Sequence, residues 1–206
     1  MKSKLFTITF LIIAINSQAQ NPIGIGLKGG YGSFSQDYQF KQPPGTVFAA
    51  GPDDYSYNVY HFGAFSLIPL SKRFTFQPEL LYSEKGSYIK SAPLANFQLH
   101  YIDLPLLMRI NFGAFSIYSG PQFGFLAKAE NGLGDDIKDG FKNTSISIVY
   151  GFQVDFGFGL IIGGRFDKGV SDISNVEEGD LFETKDGIKN QGVQAYIGWQ
   201  LFKLNK

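Results

Sequence analysis

From residue 23 onward the chain falls into about eight segments of some ten residues each, in which apolar and polar positions alternate. The connections between them are long and short in turn. Side chains on a strand point to opposite faces in succession, so each segment has one apolar and one polar face. No 3.6-residue period persists after the N-terminal segment, and no helix is expected there.

The first predicted strand, residues 23–34, sets Ile23, Ile25, Leu27 and Tyr31 on one parity and Gly24, Gly26, Lys28, Gly30 and Gly32 on the other. Residues 35–57 contain Pro43, Pro44, Gly45 and Pro52, which cannot continue a strand. The second strand, 58–70, is apolar on both parities, so its facing stays open. Ser71–Lys72 forms a tight turn. The third strand, 73–85, opposes Phe74, Phe76, Pro78, Leu80 and Tyr82 to Thr75, Gln77, Glu79, Ser83 and Lys85. Pro78 counts against regular pairing at its position. After a loop at 86–96, the fourth strand, 97–110, opposes Ile102, Leu104, Leu106, Met108 and Ile110 to Tyr101, Asp103, Pro105, Leu107 and Arg109. The turn Asn111–Phe112–Gly113 suits positive φ.

The fifth strand, 114–126, groups Phe115, Ile117, Pro121, Phe123 and Phe125, and a Gly- and Asp-rich loop at 127–142 follows. In the sixth, Ile146, Ile148, Tyr150, Phe152, Val154 and Phe156 alternate with Ser145, Ser147, Gly151, Gln153 and Asp155. Gly157 marks the next turn. The seventh, 158–168, opposes Phe158, Leu160, Ile162 and Phe166 to Arg165 and Asp167. A long acidic loop, 169–189, leads to the last strand, 190–202, with Val193, Ala195, Ile197, Trp199 and Leu201 on one face.

Eight antiparallel strands return both termini to one side. The short turns after strands two, four and six are then periplasmic, and the long loops after one, three, five and seven extracellular. The predicted fold is all-β, an eight-stranded antiparallel up-and-down transmembrane β-barrel. A soluble lipocalin-type barrel is the competing architecture. The polar face decides between them: it is mostly Gly, Ser and Gln, whereas a solvated exterior carries more Lys, Glu and Thr. The same face holds Lys28, Glu79, Lys85, Asp103, Arg109, Asp155, Arg165 and Asp167, four basic and four acidic groups. An eight-strand lumen is narrow enough to be filled by side chains. An isolated buried charge is costly, so these groups are expected to pair into an interior network. A proton or ion path through them is the functional rival.

Composition narrows the setting. Of 206 residues 17% are charged and 16% aromatic, and there are 25 Gly, which suits aromatic interfaces and bending strands. The absence of Cys removes disulfides, Cys-ligated metals and a lipidated N-terminal Cys. A formal net charge of zero and the lack of a basic run give no nucleic-acid partner. Residues 1–19 read as a signal peptide, leaving 20–206 as one outer-membrane β-barrel domain. Lys2 and Lys4 are its positive region, Leu5 to Ile15 its apolar core, and Ser17–Gln18–Ala19 its cleavage site. No later segment approaches 18 continuous apolar residues.

Catalytic chemistry finds little purchase. The two histidines, His61 and His100, fall on strands two and four, which are not neighbours. Asp103 lies near His100 in sequence, but no Ser has a spacing that sets a hydroxyl beside it. The chain is therefore read as no enzyme, without a cofactor or metal. Asp135, Asp136 and Asp139 lack the spacing and terminal Glu of a calcium loop. Asp172, Glu177, Glu178, Asp180 and Glu183 read as a solvated acidic loop. In the first outer loop Tyr38, Phe40, Phe48, Tyr55 and Tyr57 form either a contact surface for a partner or glycan, or a cover over the barrel mouth.

Several runs carry a resemblance. Gln77–Pro78–Glu79–Leu80–Leu81–Tyr82–Ser83 with Lys85–Gly86 is one, and Tyr101–Ile102–Asp103–Leu104–Pro105–Leu106–Leu107 another. Gly120–Pro121–Gln122–Phe123–Gly124 and Tyr196–Ile197–Gly198–Trp199 complete the set. In this order they resemble the PorT-like outer-membrane β-barrel family of Gram-negative bacteria. The resemblance implies an outer-membrane location, surrounding outer-membrane lipids and lipopolysaccharide, and insertion by the barrel-assembly machinery. It also makes Pro78, Pro105 and Pro121 family features. The expected role is structural or binding, through the extracellular loops. The alternative is membership of a protein-secretion complex, as for the family's namesake. A terminal aromatic is usual in such barrels, whereas here Phe202 is followed by Lys203 to Lys206.

Overall fold

A computed structural model describes residues 22–37, 57–87, 96–175 and 187–204. The proposed signal peptide and most of the first outer loop lie outside these residues. Eight strands follow in chain order: β1 Ile23–Asp37, β2 Tyr57–Pro69, β3 Phe74–Ser87, β4 Phe97–Phe112, β5 Phe115–Asn131, β6 Thr144–Asp155, β7 Leu160–Gly169 and β8 Lys189–Leu204. Each pairs antiparallel with its sequence neighbour, and β1 pairs with β8 to close the barrel. Closure leaves no unpaired edge, so the backbone is satisfied in an apolar medium.

The three short connections are tight for identifiable reasons. At Leu70–Arg73 the Ser71 hydroxyl accepts from the Phe74 amide at 3.1 Å. Gly113 takes φ +69° between β4 and β5, and Gly159 takes φ +106° between β6 and β7. That second turn moves the start of β7 from the expected 158 to Leu160, because the Phe156 amide bonds to the Leu160 carbonyl at 2.8 Å. At the other end β5 runs to Asn131, past its expected stop at 126. A register shift at His100/Tyr101 lets its ladder with β4 continue into what reads as loop.

The interior prolines sit where pairing is interrupted. The β2–β3 ladder passes from Phe65–Glu79 to Ile68–Phe76 around Pro78. The β4–β5 ladder passes from Pro105–Gln122 to Met108–Ser119. Proline has no N–H to donate, so such breaks are its natural place.

The facing agrees with a lipid-exposed wall. Leu27, Leu80 and Ile197 are 55%, 57% and 60% exposed on the outside. Aromatic rings cluster near both ends: Phe156, Phe158 and Trp199 at the turn end, and Tyr60, Phe62, Tyr82 and His100 at the loop end. Such girdles mark the two interfaces of a membrane barrel. The open facing of β2 resolves, with Val59, His61 and Phe65 inward and Tyr60 and Phe62 outward. Two apolar clusters lie inside. One contains Phe65, Leu107, Tyr118, Val149, Ile161 and Tyr196. The other, toward the loops, contains Leu99, Tyr101, Leu126, Ala129 and Ile173.

Candidate functional site: a charged lumen and its cap

All eight ionisable residues of the polar face are ion-paired, and they form three groups. Glu79 accepts from Lys28 Nζ at 2.7 Å, from Gln77 Nε2 at 2.7 Å and from Arg165 Nη1 at 3.3 Å. Lys85 Nζ lies 3.0 Å from Asp103 Oδ2 and 3.9 Å from Asp167 Oδ2. Arg109 pairs with Asp155, and its Nε donates to Asn111 Oδ1 at 2.7 Å. The first two groups are fully inside, with Asp103 at 0% and Asp167 at 1% exposure. The third is at the turn end of the barrel, where the Asp155 side chain keeps 27% exposure.

The groups balance one another. Two cations share Glu79, while Lys85 faces two carboxylates. Neutral side chains add further bonds: Arg165 Nε donates to Gln194 Oε1 at 2.6 Å, and Gln122 Nε2 to Asp167 Oδ2 at 2.6 Å, while Asp167 Oδ1 and Arg109 Nη1 have no hydrogen-bond partner among the described residues. Aromatic faces take the rest of the positive charge, with Lys28 Nζ 4.0 Å from the Tyr196 ring centre and Lys85 Nζ 4.8 Å from that of Tyr101. In a low-dielectric interior such additional bonds offset part of the cost of desolvating the charges.

Two placements escape sequence reasoning. His61 points inward and faces Ser83 across the β2–β3 ladder. Neither of its ring nitrogens has a hydrogen-bond partner among the described residues. At 1% and 0% exposure the pair has no access for a substrate. The signal was hidden because β2 is apolar on both faces. His100 instead points outward, away from Asp103. Its Nδ1 is 2.8 Å from the Tyr82 hydroxyl and its Nε2 3.9 Å from Glu130.

The loop end of the lumen is covered by described segments of two loops. Ile173 packs at 1% exposure on the upper apolar cluster, with Phe97, Ile137, Phe141 and Ile188 around it. The Lys142 amide donates to the Ile173 carbonyl at 2.8 Å, and the Asn175 amide to the Gly140 carbonyl at 3.0 Å. Asp172 ties the cover together. Its Oδ1 accepts from the Ser174 amide (3.0 Å), the Ser174 hydroxyl (2.7 Å) and the Ile188 amide (2.8 Å), and its Oδ2 from Lys142 Nζ at 2.5 Å. Partial burial raises the Asp172 pKa, but the Lys142 and Ser174 bonds outweigh it and hold the carboxyl down at about 2.

The acidic residues expected to be solvated are engaged locally where they are described. Asp135 accepts from Asn131 Nδ2 at 3.0 Å, and Asp136 caps the Lys138 amide at 2.9 Å. Among the described residues no group of three or more His, Asp or Glu is placed to hold a metal. Of the first-loop aromatics only Tyr57 is described, and its hydroxyl accepts from Gln98 Nε2 at 2.7 Å. Glu177, Glu178, Asp180 and Glu183, with Tyr38, Phe40, Phe48 and Tyr55, lie outside the described residues.

A closed barrel with a greasy wall and a charged interior defines a class, the bacterial outer-membrane barrels. The profile of the outer membrane protein beta-barrel domain matches residues 16–175, and the chain belongs to that family. It is an outer-membrane protein. Solved structures share the architecture at low identity. Neisserial surface protein A is 13% identical with a TM-score of 0.52, over 86% of this chain and 97% of its own. Ail, the attachment invasion locus protein of Yersinia pestis, solved with the heparin analogue sucrose octasulfate, is 11% identical with a TM-score of 0.48, over 87% and 99%. No curated protein sequence matches the chain.

Proposed function

We propose that this outer-membrane barrel has a plugged lumen and works through its extracellular loops, in a structural or binding role. One observation carries the reading: the Glu79 and Lys85 groups, all at 5% exposure or less, fill the lumen between two apolar clusters. A transport path needs hydrated, replaceable contacts, whereas these charges are bonded to one another. The eight charged residues act as a register lock, since all of their ion pairs except Lys85–Asp103 join strands that are not ladder neighbours, such as β3 and β7 through Glu79 and Arg165. Function then falls to the parts outside the membrane, as is usual for loops on a rigid scaffold. Its molecular surroundings are the outer-membrane lipids with their lipopolysaccharide, and its assembly uses the barrel-assembly machinery.

The test has two arms. Purified protein in a planar bilayer is expected to give no steady ion conductance. A pull-down from solubilised outer membranes should retain its partner only while the extracellular loops are intact. Steady conductance in the intact barrel would overturn the plugged reading. Unchanged capture after loop replacement would overturn the loop-centred one.

A further inference from the structure

The cover over the lumen is held differently from the barrel beneath it. Every strand is fixed by ladders on both sides. Among the described residues the cover is fixed without a continuous ladder, by scattered loop bonds and the single bridge Phe141–Ser174, by Ile173 with the half-buried Ile137, Phe141 and Ile188 around it, and by one carboxylate. Ile173 is the apolar part, lodged against Leu99, Tyr101, Leu126 and Ala129. Asp172, the residue before it, gathers bonds from Ser174, Ile188 and Lys142, and so from both loops. Its ion pair with Lys142 is accessible to water, with side-chain exposures of 31% and 47%. Gly187 adopts φ +73° beside the latch. A Cβ on Gly187 would collide with the Asp172 carboxylate, so the residue is small where the latch closes. Directly below are Tyr101 and the ammonium of Lys85.

We propose that residues 137–142 and 170–175 form a lid over the extracellular mouth, with Ile173 as its stopper and Asp172 as its latch. Releasing the latch lifts Ile173 and opens a shallow vestibule whose floor is Tyr101 and the Lys85 group. Local opening of this kind is expected where few buried contacts hold a segment whose surroundings are far more stable. The inference rests on the reading of the lumen as closed, and its test is separable from that reading. The lid predicts access to the vestibule only. An unplugged lumen predicts conduction through the whole barrel, whatever the state of Asp172.

The chain has no Cys, so a single introduced thiol is a unique reporter. Ala129→Cys places one beneath the lid, at a position that is 0% exposed. Labelling by a membrane-impermeant maleimide, in protein reconstituted into lipid vesicles, reads lid opening. With the latch intact the thiol should react slowly. Asp172→Ala should speed it by about tenfold or more, and Lys142→Met by less, because Lys142 supplies only one of the latch bonds. Unchanged heat-modifiable migration on gels will show that the barrel itself is intact. Amide exchange provides a second measurement that needs no thiol: the Lys142 and Asn175 amides should lose protection in Asp172→Ala. Labelling within twofold of the latched protein, with those amides still protected, would overturn the lid. So would fast labelling with the latch intact.

Discussion

Glu79 shows most plainly how single side chains hold this molecule. Among the described residues its carboxylate is the one acid shared by Lys28 and Arg165, and all three are buried. Removing one member of a buried ionic group leaves the others uncompensated, which costs about 3–5 kcal/mol. Glu79→Gln should therefore lower the urea midpoint of the barrel in lipid. The double variant Glu79→Gln/Lys28→Met should recover part of the loss, since it removes one orphaned cation. A Glu79→Gln barrel as stable as the parent would show that the cations find other partners. Asp172 gives a second prediction, in pH. Its carboxyl is held below the ordinary value, so its contribution is present above pH ~4 and is lost as pH falls toward 2. Exchange protection of the Ile188 amide should follow that course, and should be absent throughout in Asp172→Ala.

At the scale of the strand, alternation decides what each substitution costs. Leu27 and Lys28 are neighbours on β1, one in lipid and one in the lumen. Leu80→Arg and Ile197→Arg, at mid-strand on the lipid face, should each cost ~2–4 kcal/mol in unfolding from lipid. Leu201→Arg, at the turn end of β8, should cost less, because charge there reaches the interface. Equal penalties at all three positions would contradict the assigned depth. Most of this was legible from parity, because β1, β3 and β6 separate their faces cleanly. In β2 it was not: Val59 and Phe65 fill the lumen while Phe62 meets lipid, and both sides read as apolar. The strand ends were hidden for another reason. β5 continues past Leu126 because its partner β4 continues, through a register shift that no local pattern announces.

For the whole molecule, closure converts a list of charges into a network. The eight ionisable residues can be picked out from facing alone, and their neutral sum suggests pairing. The partners cannot. Arg165 reaches Glu79 across 86 positions of sequence, and that contact depends on the tilt and stagger of the closed sheet. The cap was equally out of reach. The aromatic first loop lies for the most part outside the described residues, and the described cover comes from the third and fourth outer loops through Ile173 and Asp172. The same closure makes the interior the part least able to take up a partner and the loop end the part most able to.

The direct measurement of this arrangement is accessibility of single spin labels in the lipid-reconstituted barrel, since no native Cys interferes. Labels at Leu80, Ile102 and Ile148 should collide strongly with oxygen dissolved in the acyl chains. Labels at Ser83 on β3 and at Ser145 and Ser147 on β6, on the opposite faces of those strands, should be shielded from both oxygen and a water-soluble nickel complex. Strong nickel collisions at the first three positions, or a pattern that fails to alternate along β3 and β6, would contradict it.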